Sequence, residues 1–146
     1  MEGSYRFYAD SFGVLAHTVS VAWYQKLGRQ LVIAPSCRYY YQTAANFYHV
    51  TLPGYYNAHA PGTFATGDML PDGNTQPDLP QYYSADYRLS HMQTITAGVS
   101  INWKVVDHFY VDASYEHYVM QGLDGVTDPG VYPNADMFTV GARVTF

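Results

Sequence analysis

Six charged residues, Arg38, Asp86, Arg88, Asp112, Glu116 and Arg143, fall where a two-residue repeat would set them on a common face of successive strands. Interleaved carboxylates and guanidiniums can line a passage and sort solutes by charge, as rings of charge do in pores. They can equally pair off into a salt-bridged plug that only satisfies an enclosed interior. Register between strands decides which, and one sequence does not state it. Two adjacent pairs invite a catalytic reading, Ser90 with His91 and Glu116 with His117. A hydrolase or acyltransferase needs its nucleophile, base and orienting acid within hydrogen-bond reach. Neighbours on a strand point to opposite faces, so neither pair makes a dyad by itself and an enzyme is not expected.

The six histidines (17, 49, 59, 91, 108 and 117) show no helix or finger spacing, so no metal site is assigned. His49 and His59 share a loop with Asp68, Asp72 and Asp78, and Asp72-Gly73-Asn74 lacks the remaining ligands of a calcium loop. A lone Cys37 excludes an internal disulfide and a cysteine-based zinc cluster. No cofactor is implied. A net charge of −5 without a basic stripe argues against nucleic acid as a partner.

The elements that must carry these residues are strands. Charged residues make up 13% of the chain, about half the roughly 25% usual in soluble domains. Aromatics reach 17%, with sixteen tyrosines, and Tyr and Trp suit a surface that is apolar at one end and wet at the other. No run approaches the roughly 18 apolar residues of a spanning helix, and only helices or closed barrels satisfy every backbone group in lipid. Alternation predicts strands over 4–8, 15–24, 31–42, 82–104, 109–119 and 137–146, six in all. Pro35 interrupts the third, and a bulge is its simplest accommodation. Short turns near 27–30 and 105–108 alternate with long loops at about 43–81 and 121–135, the asymmetry of outer-membrane barrels, whose long loops are extracellular and short turns periplasmic.

Aromatics fall at two levels. Trp23, Trp103, Phe109 and Phe146 lie beside the short turns, and Tyr39, Tyr41, Tyr87, Tyr115 and Phe138 towards the loops, with Val, Ile, Leu and Ala between. An apolar band flanked by aromatic girdles is the membrane-barrel pattern. Charges in strands take the opposite face, with Asp136 the one out of phase and His17, His91, His117 and Gln93 the polar intrusions on the apolar face. The last strand ends in Thr139, Gly141, Val144 and Phe146, which resembles the C-terminal signal read by the barrel-assembly machinery.

Ser4-Tyr5-Arg6-Phe7-Tyr8, Asp10-Ser11-Phe12-Gly13, Ala16-His17-Thr18, Arg38-Tyr39-Tyr40-Tyr41-Gln42 and Asp86-Tyr87-Arg88-Leu89-Ser90 together resemble the C-terminal portion of a Gram-negative outer-membrane β-barrel family catalogued as a domain of unknown function. The resemblance implies fold and location, and no activity. Residues 1–146 are thus expected to be one outer-membrane β-barrel segment, all-β and antiparallel, in contact with lipid and lipopolysaccharide. Its expected role is in a pore, in transport or in envelope structure. Six strands are fewer than the roughly eight of the smallest single-chain barrels, so a preceding segment, a second chain or copies of this one must complete the sheet. Met1-Glu2-Gly3-Ser4 has no signal-peptide pattern, which fits a processed start, a mis-assigned start or a piece of a longer chain. A soluble lipocalin-like binder, with its apolar face inward, is the alternative from another class.

Overall fold

The computed structural model describes residues 1–50 and 82–146. Its strands are β1 (Glu2–Ala9), β2 (Leu15–Ala22), β3 (Gln25–Leu27), β4 (Leu31–Gln42), β5 (Met92–Val106), β6 (Phe109–Gly122) and β7 (Asn134–Val144). They form one antiparallel sheet in the order β1-β2-β4-β5-β6-β7, with β3 also on β4. Among the described residues β1 and β7 are the two edges, so the sheet is not closed. No described helix is long and apolar enough to cross a membrane.

Seven strands replace the expected six because of Pro35. Ala22 pairs with Ser36 and Gln25 with Ile33, which leaves Trp23 and Tyr24 opposite Pro35 and Ala34 with no change of register. The Trp23 amide donates to the Pro35 carbonyl at 3.0 Å, but proline has no N–H to return. One ladder bond is lost, and β2 and β3 are a single strand notched at that point. The expected bulge is absent; on the other side, β4 stays in register with β5 through Pro35 and Val99.

Connections sort by length to the two ends. At one end Gly28 turns the chain between β3 and β4 with φ at +68°, a conformation glycine adopts without a Cβ penalty. At that end too, Asp107-His108 joins β5 to β6, with His108 at φ +70°. At the other end lie the 10–14 turn, residues 43–50 and 82–91, and the 123–133 segment. The Asp10 carboxylate organises the first of these by accepting from the Phe12 and Val14 amides.

A second expectation fails at the start of β5. Residues 82–91 alternate like a strand yet form none: Tyr87–Leu89 is one 3-10 turn, and the strand begins at Met92. The Asp86 side chain accepts from the Arg88 amide, and the Gln42 amide donates to the carbonyls of Arg88 and Ser90. These side-chain bonds take up backbone groups that a ladder would need. The loop after β6 is likewise 123–133, shorter than expected, since β6 and β7 stay paired out to Val119 and Asn134.

Among the described residues the buried clusters lie at the loop end. Val14, Ala45 and Tyr48 pack with Phe47 and Leu89, while Met92, Met120 and Tyr132 pack with Tyr40, Tyr87 and Tyr118. Backbone bonds from Ala45 to Leu89, Asn46 to Phe12 and Leu123 to His91 tie the three connecting segments into a cap. Fully buried Ser90 shares a 2.7 Å hydrogen bond with the Tyr132 hydroxyl inside it.

Candidate functional site on the polar concave face

Residues directly opposite in an antiparallel ladder share a face, so register assigns every strand residue to a side. One side carries Ser4, Ser20, Arg38, Thr96 and Tyr118, paired in sequence across β1, β2, β4, β5 and β6. A hollow of about 810 Å³ lies on this side, touched by residues from Glu2 on β1 to Met137 on β7. Six strands can surround one hollow only if the sheet curls, so the polar face is concave. Its roof is the Met92, Met120 and Tyr132 cluster beneath the cap.

Of the six charges expected in a ladder, Arg38, Asp112, Glu116 and Arg143 stand on this face. Asp86 and Arg88 do not belong to a strand. They make a local ion pair at 2.6 Å in the cap, and the Arg88 guanidinium holds the Asp86 carboxyl below its ordinary range. The others are not joined to one another. Asp112 accepts from the Asn102 amide, its cross-strand partner. The Arg143 guanidinium lies 4.8 Å above the Tyr110 ring, a cation–π placement. Arg38 and Glu116 both line the hollow, and neither lies within ion-pair distance of an opposite charge among the described residues. No ion pair joins these four to one another among the described residues.

The convex side is apolar, and among the described residues nothing covers it. Val19, Val21, Ile95, Ile101, Val140 and Val144 are 38 to 78% exposed, a contiguous surface of the kind that marks a membrane or partner contact. Five of the six expected interface aromatics, Trp23, Trp103, Phe109, Tyr39 and Tyr115, share it by register. Tyr87 is the correction: it sits in the 3-10 turn, edge-on to Tyr132 at 5.7 Å under the cap, because the strand expected to carry it starts five residues later.

The polar intrusions on this side satisfy one another. His17 bonds the Tyr5 hydroxyl at 2.8 Å and packs near Phe7 and Tyr41, and the Tyr41 hydroxyl bonds His91 at 2.9 Å. Tyr39 donates to Gln93, which donates to Gln121. His117 and the out-of-phase Asp136 are direct cross-strand partners, 2.8 Å apart, and Tyr115 donates to the same carboxylate. They form one belt on the loop side of the apolar band.

Both aromatic levels run obliquely across the ladder. Trp23 stands opposite Pro35, which pairs with Val99; Trp103 lies four positions further along β5, and Phe109 two beyond Val111, the partner of Trp103. At the upper level His17, Tyr41, Gln93 and Gln121 pair in turn, whereas Tyr115 stands six residues nearer the short-turn end of β6 than Gln121, with Phe138 its partner on β7. Six residues at about 3.3 Å against three or four strand spacings of about 4.8 Å give a slope of roughly 45–55° in the same direction for both levels.

The catalytic pairs point apart. Ser90 bonds Tyr132 inside the cap while His91 bonds Tyr41 outside it, and Glu116 and His117 lie on opposite faces. Among the described residues no group of three or more His, Cys, Asp or Glu could hold a metal; His59, Asp68, Asp72 and Asp78 lie outside them. At the chain's end Thr139, Gly141 and Val144 belong to β7, and Phe146 stands beyond it, fully exposed. What the sequence concealed was the unpaired state of Arg38 and Glu116, since it depends on strands that only folding sets side by side.

A family model described as "Protein of unknown function (DUF3570)" matches residues 1–143. No curated protein and no solved structure matches the chain.

Proposed function

The chain belongs to the DUF3570 family, whose description assigns no activity, and from its two faces we propose that it forms wall of an outer-membrane β-barrel whose polar side lines a path for hydrophilic solutes. The observation that carries this is the oblique course of the two aromatic levels. Strands of membrane barrels tilt by roughly 35–45°, so a flat membrane boundary must cross the ladder on a slant of about that size. A soluble sheet has no reason to keep two such levels parallel.

Burial energetics support the same reading. Covering the six Val and Ile side chains of the convex face is worth roughly 1.5–3 kcal/mol each, and the cap core at one end of the sheet does not reach them. A lipocalin-like binder needs its apolar face around the cavity, whereas the hollow here lies on the polar face. β4, β5, β6 and β7 have 12, 15, 14 and 11 residues, enough for the roughly 9–11 of a tilted spanning strand.

On this reading the Gly28 and Asp107-His108 turns are periplasmic, and the cap is extracellular, beside lipopolysaccharide. Thr139, Gly141, Val144 and Phe146 are the signal taken by the assembly machinery. Open ladders on β1 and β7 cannot face lipid, so further strands from the same polypeptide, a second chain or another copy close the barrel.

Reconstitution tests the proposal. The purified protein, folded into liposomes, resists alkaline extraction and makes the vesicles permeable to small hydrophilic solutes. Recovery in the aqueous fraction, with vesicles as tight as protein-free controls, would overturn it.

A further inference from the structure

Of the charged residues lining the hollow, Glu2 takes a hydrogen bond from Tyr24 and Arg88 is paired with Asp86, whereas Arg38 and Glu116 confront each other without pairing. Arg38 on β4 and Glu116 on β6 lie either side of β5: Arg38 pairs with Thr96, whose other partner is Tyr118, and Glu116 pairs with Gly98. Two strand spacings and a two-residue offset put their Cα atoms roughly 12 Å apart, a gap that extended Arg and Glu side chains nearly span. Opposite charges in a partly enclosed hollow ordinarily close into a hydrogen-bonded pair, and these do not. Gly98 makes the floor between them. A Cβ there would stand 2.8 Å from the Glu116 Cγ and 2.9 Å from the Tyr115 carbonyl, so only glycine lets the Glu116 side chain lie down across β5 towards β4.

The surroundings supply the rest of a site. Thr94, Thr96, Ser20 and Ser36 line the same hollow with hydroxyls, and on the roof side Tyr40, Tyr118, Met92 and Met120 offer an aromatic and thioether surface. A guanidinium and a carboxylate from opposite sides of β5, with an apolar shelf beside both, make a three-point arrangement. A lone anion would leave Glu116 unmatched and a lone cation would leave Arg38 unmatched. A neutral polyol would leave both.

We infer that the Arg38–Glu116 gap is a binding site for a small zwitterion, an α-amino acid with an apolar or aromatic side chain. Arg38 takes the carboxylate as a two-pronged donor, Glu116 accepts from the ammonium across the Gly98 floor, and the side chain rests on Tyr40, Tyr118 and the two methionines. This extends the solute-path reading by naming a solute class for the same face.

Equilibrium dialysis of the folded protein in mild detergent tests it with three probes of matched shape: L-phenylalanine, 3-phenylpropionate without the ammonium, and 2-phenylethylamine without the carboxylate. L-Phenylalanine binds, and each truncated probe binds about ten-fold more weakly or worse, since each leaves one charge unmatched. Arg38→Gln removes the preference for a carboxylate and Glu116→Gln the preference for an ammonium, with near-ultraviolet circular dichroism unchanged to show that the cap is intact. Equal binding of the three probes, tighter binding of 3-phenylpropionate alone, or no binding overturns the site. The outcome is separable from the larger proposal: vesicles made permeable by a protein that binds none of the probes sink this inference alone, and probe binding by a protein that does not enter vesicles sinks the solute path alone.

Discussion

Val140→Arg separates a lipid-facing sheet from a water-facing one. Val140 lies on the convex side of β7, opposite Ala113, in a row that continues through Ile101 and Ile33, and it is 78% exposed. So exposed a side chain has few neighbours to lose. In water the substitution therefore costs no more than about 0.5 kcal/mol, as for other surface changes. Against lipid the new guanidinium sits between the Phe138 and Phe146 levels, where Arg costs about 2–4 kcal/mol near mid-bilayer. At about 1.4 kcal/mol per factor of ten, the folded-to-unfolded ratio falls roughly 30- to 700-fold. The control is Thr139→Arg, one residue away but on the polar face opposite Ser114, where the change stays within about 0.5 kcal/mol. Urea unfolding in phospholipid vesicles, followed by tryptophan fluorescence, reads both. Equal costs for the two variants would refute the assignment of faces.

Tyr132→Phe strips the only hydroxyl bonded to Ser90 Oγ among the described hydrogen bonds, and a buried hydroxyl left unmatched costs about 1–3 kcal/mol. Adding Ser90→Ala recovers most of that loss in the same unfolding assay. In the 123–133 loop, burial pushes the Asp124 carboxyl up, but bonds from the Thr127 hydroxyl and from the Thr127 and Val126 amides outweigh it and hold the group below its ordinary value. A depressed folded-state pKa stabilises the loop above the unfolded carboxylate range and releases it as pH falls through the folded value. The protection factors of the Val126 and Thr127 amides, taken against the intrinsic exchange rate at each pH, accordingly fall in acid, and Asp124→Asn abolishes that fall. His108→Gly relieves a left-handed backbone at φ +70° and raises stability by about 1 kcal/mol; a drop would show that the His108 side chain contributes contacts of its own.

Much of the sheet was legible because its strand faces obey parity. Within the strands that form, residues placed on the apolar face by alternation, such as Val19, Val21, Ile95, Ile101 and Val140, pair across the ladder with others of that face, and the short turns at Gly28 and Asp107 fall where expected. Parity failed where local hydrogen bonds compete with the ladder. Asp86-Tyr87-Arg88-Leu89-Ser90 alternates as well as any strand, but its Asp caps a turn, which removed Asp86, Arg88 and Tyr87 from their expected faces. Cross-strand pairing lay beyond the sequence altogether. His117 and Asp136 read as two separate exceptions until register made them partners, and the missing N–H of Pro35 notched the neighbouring strand where a bulge was expected.

The chain's two tryptophans, Trp23 and Trp103, both stand on the convex face at the lower aromatic level, 56% and 47% exposed. Depth-dependent quenching by brominated phospholipids therefore tests the central claim directly, using Trp23→Phe and Trp103→Phe to read each residue alone in vesicles. The account predicts that both are quenched, most strongly by bromines placed near the headgroups and at equal depth. Emission that aqueous acrylamide quenches freely and brominated lipid leaves untouched would contradict it.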